Sequence, residues 1–129
     1  MNNHETKKRI IENYVAAYNN FDVENMLKDM DERMVFRNIG EGGTVNLQTN
    51  GIDEFRKQAE EAKELFSLRE QKITVLKFGE TEAEAGISYR GTLAADLPEG
   101  LKAGSEIALD GKSIFRFKGD KIIGIDDIS

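Results

Sequence analysis

From Gly104 to Ser129 the chain alternates with a period of two, and the apolar face this defines carries a hydroxyl and a carboxylate. Counting by twos places Ile107, Leu109, Gly111, Ser113, Phe115 and Phe117 on one face of a strand. After a turn at Lys118-Gly119-Asp120, the same face continues with Ile123, Ile125 and Asp127 on the return strand. A carboxylate on an oily surface must be paired, wetted or protonated, because an unpartnered buried charge costs a sizeable part of a small domain's stability. Desolvation also raises its pKa towards neutrality, where it can take a proton from an activated C–H and return one. Asp127 is therefore the first candidate for an acid/base group.

Other chemistries find little support. The 129 residues include no cysteine, so neither a disulfide framework nor a thiolate nucleophile or metal ligand is available. The single histidine, His4, sits in a polar stretch expected to precede the first helix, where nothing would orient it as a base. Asp126 and Asp127 are neighbours on a strand and should point to opposite faces, with no histidine near, so no metal site is expected. Gly40-Glu41-Gly42-Gly43 lacks the Lys-Ser/Thr ending of a phosphate loop and reads as a turn. Lys and Arg number 18 against 24 Asp and Glu, a net charge of -6, with the basic residues scattered, which argues against a nucleic-acid partner. No apolar run approaches the roughly 20 residues of a membrane span, so no membrane partner and a cytoplasmic location are expected. The length suits one domain, 1–129, with a core and room for a pocket.

The elements that would position Asp127 follow from periodicity. Thr6 to Asn19 carries Ile10, Ile11, Tyr14, Val15 and Tyr18 at helical spacing, and Asn19-Asn20 closes that helix. Asp22 is placed to cap a short second helix with Val23, Met26, Leu27 and Met30 inward. Strands are expected over Met34 to Ile39 and Thr44 to Gln48. A third helix follows, capped by Asn50 and ending at Ser67, with Ile52, Phe55, Ala59, Ala62 and Phe66 inward. Beyond Arg69 the period changes to two, predicting strands over Lys72–Phe78, Thr81–Ala94, Glu106–Lys118 and Lys121–Ile128, with turns at Gly79-Glu80 and around Pro98-Glu99-Gly100. Ala83, Ala85, Ile87, Tyr89, Gly91 and Leu93 share a face, and Gly86, Gly91 and Gly111 are candidate bend points. Helices first and antiparallel strands after predict an α+β fold, a curved sheet covered by helices to make a cone with a mouth.

This order, with Tyr14-Val15-Ala16-Ala17-Tyr18-Asn19-Asn20-Phe21-Asp22 near the start and Gly91-Thr92, Leu97-Pro98-Glu99-Gly100, Ser113-Ile114-Phe115-Arg116-Phe117 and Asp120-Lys121-Ile122-Ile123 later, resembles the nuclear-transport-factor-2-like superfamily and, within it, the SnoaL-like polyketide cyclases. The resemblance covers nearly the whole chain and implies the cone-shaped, cystatin-like fold. In such cyclases a Gly-Lys-Ile segment on the last strand leads to a Trp-Asp pair whose Asp is the proposed acid/base. Here Lys121-Ile122 leads to Asp126-Asp127, which matches the acid to Asp127 and puts Asp126 where the Trp stands. Laid beside ketosteroid isomerase of the same superfamily, Tyr14 matches the oxyanion-hole tyrosine, Asn38 falls on the general-base aspartate and Ser113 on the second oxyanion donor. Without that base, the isomerase reaction itself is not expected.

The resemblance thus implies cofactor-free acid/base chemistry on a hydrophobic carbonyl compound: aldol-type cyclisation, isomerisation or dehydration. Asp127 would move the proton, while Tyr14, Asn38 and Ser113 bind the oxygen that gains charge. Tyr18, Phe36, Phe55, Tyr89, Phe115 and Ile125 are the expected walls for a small hydrophobic ligand, with no inward Lys or Arg and with Arg37 and Arg90 pointing away. The alternative is a binding module without catalysis. A homodimer through the outer sheet face, around Ile114, Ala108 and Thr92, is expected from the superfamily's habit.

Overall fold

The computed structural model describes residues 3–98 and 100–129, so the turn expected around Pro98-Glu99-Gly100 includes one residue, Glu99, outside the described set. Helix α1 (Asn3–Asn19) buries Ile10, Ile11, Tyr14, Val15 and Ala17, one stripe at helical spacing. It begins earlier than the periodicity predicts, so His4 lies in its first turn, with its ring stacked on Phe78 at 4.9 Å. Beyond the end of α1, Phe21 holds a left-handed backbone (φ 58) while Asp22 N–H donates to the Ala17 carbonyl at 2.9 Å. Asp22 then caps α2 (Val23–Leu27) as expected, its carboxylate accepting from Asn25 N–H.

The sheet has six strands: β1 (Met30–Ile39), β2 (Val45–Asn50), β3 (Phe66–Phe78), β4 (Glu82–Leu93), β5 (Glu106–Lys118) and β6 (Lys121–Ile128), in the spatial order β2-β1-β6-β5-β4-β3. Among the described residues only β1 and β6 pair in parallel; the other neighbours are antiparallel. Glycines 42 and 43, at φ 76 and φ 82, turn the chain between β1 and β2. Helix α3 (Ile52–Lys63) packs against β1 with Phe55 and Ala59 buried. Among the described residues, no helix is long and apolar enough to cross a membrane.

Three expectations are corrected. The cap of α3 is Gly51 (φ 89); Asn50 is the last residue of β2, and its N–H donates to Glu54 Oε1 at 2.8 Å. Helix α3 stops at Lys63, and Phe66 and Ser67 belong to β3. Phe66 is paired with Leu93, and the Leu65 carbonyl accepts from Ala94 N–H, so pairing with β4 overrides local helical preference. On β6 a register shift opposite Arg116-Phe117 leaves Ile123 as an extra residue; Ile122, 1% exposed, takes the inward position assigned to Ile123 by strict alternation. The bulge absorbs the offset, and Ile125 and Asp127 stay in phase with Phe115 and Ser113.

Candidate functional site

The inner face of the sheet, α1 and α3 enclose a cavity of about 350 Å³. Tyr14 and Tyr18 reach it from α1, Phe36 and Asn38 from β1, Phe55 from α3, Tyr89 from β4, Ser113 from β5 and Asp127 from β6. Phe115 and Ile125, expected among the walls, do not line it. Both are fully buried in the core, where Phe115 packs edge-on against Tyr14 at 5.7 Å and so supports the wall from behind. His4 does not reach the cavity either.

Asp127 sits opposite Ser113 in the β5–β6 ladder, and Ser113 Oγ donates to Asp127 Oδ1 at 2.6 Å. Asn38 is its register partner on the other side, across the parallel β1–β6 pair. Burial pushes the Asp127 carboxyl up to about 6; the Ser113 hydrogen bond works against this, and the charge of Asp126 adds to it. Tyr14 is held far above the usual tyrosine range, by burial first and then by the charge of Asp127, with Arg69 partly offsetting both. Its phenol therefore stays protonated and can act only as a neutral hydrogen-bonding group. One helical turn on, Tyr18 and Tyr89 share a hydroxyl–hydroxyl bond of 3.0 Å, and burial raises both.

The expectation of no inward Lys or Arg fails at Arg69. This side chain from β3 lines the cavity and is 3% exposed. Its Nε donates to the Tyr18 carbonyl at 2.9 Å, and its guanidinium lies 3.7 Å from the Tyr18 ring centre and 4.6 Å from that of Phe21. Cation–π contacts of this kind return about 1–2 kcal/mol each, which offsets only part of the cost of desolvating a charge. Gln71, two residues along, also faces the cavity, its backbone N–H bonded to Asn19 Oδ1 at 2.7 Å. Lys112 stands at the rim, within 3.7 Å of Glu84. Sequence reasoning missed Arg69 because it lies ahead of the strand expected over Lys72–Phe78, and because the apolar residues of β3 are split between its faces: Ile73, Leu76 and Phe78 pack on the core, whereas Leu68 and Val75 point outward, at 66% and 49% exposed. Arg37 does turn away, as alternation predicts. On the outer face its Nε and Nη2 grip Asp126 at 2.9 and 2.7 Å, and Arg116 Nη2 adds a third contact at 2.8 Å.

A sequence profile of the SnoaL-like domain matches residues 11–125. The chain belongs to the SnoaL-like family. No curated protein matches its sequence. Among solved structures, this SnoaL-like chain is similar to a candidate polyketide cyclase from Xanthomonas campestris pv. campestris, at 17% identity, covering 99% of this chain and 93% of that one with a TM-score of 0.83. It also resembles a cystatin-fold protein from Novosphingobium aromaticivorans, at 22% identity, 100% and 99% coverage and a TM-score of 0.75. A third is TerC, crystallised with polyporic acid, at 14% identity, 95% and 90% coverage and a TM-score of 0.76. At these identities the likenesses establish the α+β fold that the SnoaL-like chain shares with its relatives.

Proposed function

We propose that this SnoaL-like protein is an enzyme of cofactor-free acid/base chemistry acting on a hydrophobic carbonyl compound, by aldol-type cyclisation, isomerisation or dehydration. The observation that carries the reading is Asp127, a carboxylate facing a cavity of about 350 Å³ with its pKa pushed up to about 6. Both protonation states are then accessible near neutrality. The ionised form takes a proton from the carbon beside the carbonyl, the C–H electrons move into the enolate, and the carbonyl oxygen gains the charge. Tyr14 donates to that oxygen as a neutral phenol, and the Asn38 amide provides a second donor. Ser113 holds ionised Asp127 through its hydroxyl; once Asp127 has taken the proton, that hydroxyl is released to turn towards the enolate oxygen. Protonated Asp127 then returns the proton to another carbon in an isomerisation, to a departing hydroxyl in a dehydration, or, in a cyclisation, to the alkoxide left when the enolate carbon has bonded to a second carbonyl carbon of the same molecule. Tyr18, Phe36, Phe55 and Tyr89 give flat apolar walls suited to about one to three rings.

The test is deuterium incorporation beside the carbonyl of a panel of cyclic and aryl ketones in D2O, followed by proton NMR. Exchange accelerated by the protein and lost in Asp127→Asn supports the reading. Equal rates for both proteins sink it. Thermal stabilisation by the ketones without any exchange favours the binding module instead.

We further propose that two copies pair through the outer sheet face, where exposed Leu68 and Val75 extend the surface around Ile114, Ala108 and Thr92. Light scattering should return twice the 14.5 kDa of one chain; a mass of 14.5 kDa at micromolar concentration rules the pairing out.

A further inference from the structure

We infer that the ligand of this cavity carries an acidic oxygen, as a ring carboxylate or an ionised enol or phenol, and that Arg69 binds it with Gln71 beside it. This deepens the proposed function and rests on it for the occupant being a ring compound. The observations are an unmet donor and an unmet acceptor on one wall. Arg69 Nη2 is enclosed and has no hydrogen-bond partner, and the same holds for Gln71 Oε1. Both residues line the cavity. Tyr18 and Phe21 cover the guanidinium and the Tyr18 carbonyl takes its Nε, so Nη2 beside it remains to be satisfied. No carboxylate among the described residues lies within ion-pair distance of Arg69, whereas Lys112, the other cation of the lining, has Glu84 at 3.7 Å.

A guanidinium cannot escape by losing its proton, so its charge persists in an apolar wall and favours an anion there. The backbone invests in this placement, since the left-handed Phe21 brings its ring onto Arg69. Gln71 Oε1 accepts only, and calls for a hydroxyl next to the acidic oxygen. Tyr14 and Tyr18 stand one helical turn apart on the same face of α1, with Tyr14 under the influence of the Asp127 charge and Tyr18 stacked on Arg69. A ring compound held at its acidic edge by Arg69 therefore extends its carbonyl end towards Asp127.

The test uses 3-hydroxy-2-naphthoate and its methyl ester in calorimetric titrations at pH 7.5. The acid should bind about tenfold or more tightly than the ester, and Arg69→Met should bring the two within about twofold. Gln71→Leu should weaken the hydroxy acid while leaving 2-naphthoate unchanged. Should Arg69→Met fail to fold, the wild-type protein with 15N-labelled arginine decides. The Arg69 guanidinium signals should shift with the acid and not with the ester. Equal affinity for acid and ester, or an acid preference that survives Arg69→Met or leaves the Arg69 signals unmoved, overturns the inference. Asp127→Asn should retain the acid preference. Preference without ketone exchange removes the catalytic reading alone, and exchange without preference removes this inference alone.

Discussion

Asp126 and Asp127 are adjacent on β6, yet the two faces of the strand treat their carboxylates in opposite ways. On the outer face, Asp126 is 3% exposed and burial pushes its pKa up, but hydrogen bonds and charge from Arg37 and Arg116 outweigh this and hold it below the usual range. On the inner face, Asp127 has one hydroxyl to support it, and burial wins. Fixing a charge takes cations on geometry as good as the Arg37 fork; making a group that gains and loses a proton takes leaving most of that support out. By alternation alone the strand therefore carries one carboxylate held ionised and one whose protonation can change near neutrality.

The largest expected effect that would break this contrast is on turnover. Asp127→Asn should lower ketone exchange by roughly 10²–10⁴-fold, the usual worth of a positioned acid/base group, whereas Asp126→Asn should retain exchange wherever the protein stays folded. NMR exchange rates for the two variants check it. Stability should move the other way. Folded Asp127 holds its proton more tightly than the unfolded chain does, so its contribution is full below pH 3.8 and is lost as pH rises through about 6. Asp127→Asn escapes that loss and should be more stable than the parent at pH 7.5, by up to about 3 kcal/mol, with the advantage vanishing below about pH 4. Urea titrations across this range provide the measurement.

Asp126→Asn should instead destabilise at pH 7.5 by roughly 2 kcal/mol, less than for a fully buried pair because Arg37 and Arg116 keep 36% and 39% of their side chains exposed. Since the folded pKa of Asp126 is depressed, its contribution is present above pH 3.8 and fades as pH falls below it, so this difference should shrink in acid. The smallest effect sharpens the comparison. Ser113→Ala removes the one hydrogen bond that lowers Asp127, and its carboxyl should titrate above the parent's value of about 6 in a 13C NMR titration.

What the sequence made legible was whatever alternation and helical spacing control. The α+β order, the inner face of β4 and the shared face of Ser113 and Asp127 follow from side-chain period, and the Asp22 cap from its residue type and place, whereas grouping Tyr14 and Asn38 with them came from the family resemblance. The bulges were not legible. Ile122 and Ile123 are the same residue type, so nothing local says which is the extra one. Ser67 and Thr74 are extra residues on β3 in the same way, and they set which residues around them face inward. Arg69 was hidden for a further reason. A polar residue between Leu68 and Glu70 reads as surface, and only the rings of Tyr18 and Phe21, some fifty positions earlier, make its burial tolerable.

The parallel pairing of β1 with β6 has a consequence for how the protein forms. Arg37 and Asp126 are 89 positions apart, and joining segments so distant costs about 4 kcal/mol of chain entropy that hairpins such as β3–β4 and β4–β5 largely avoid. That closure belongs late in folding, after the hairpins have supplied a surface to close against. Asp127 thus keeps its water shell through most of the journey and is stripped of it near the end. The stabilisation expected for Asp127→Asn should accordingly emerge as slower unfolding, with the refolding rate close to the parent's.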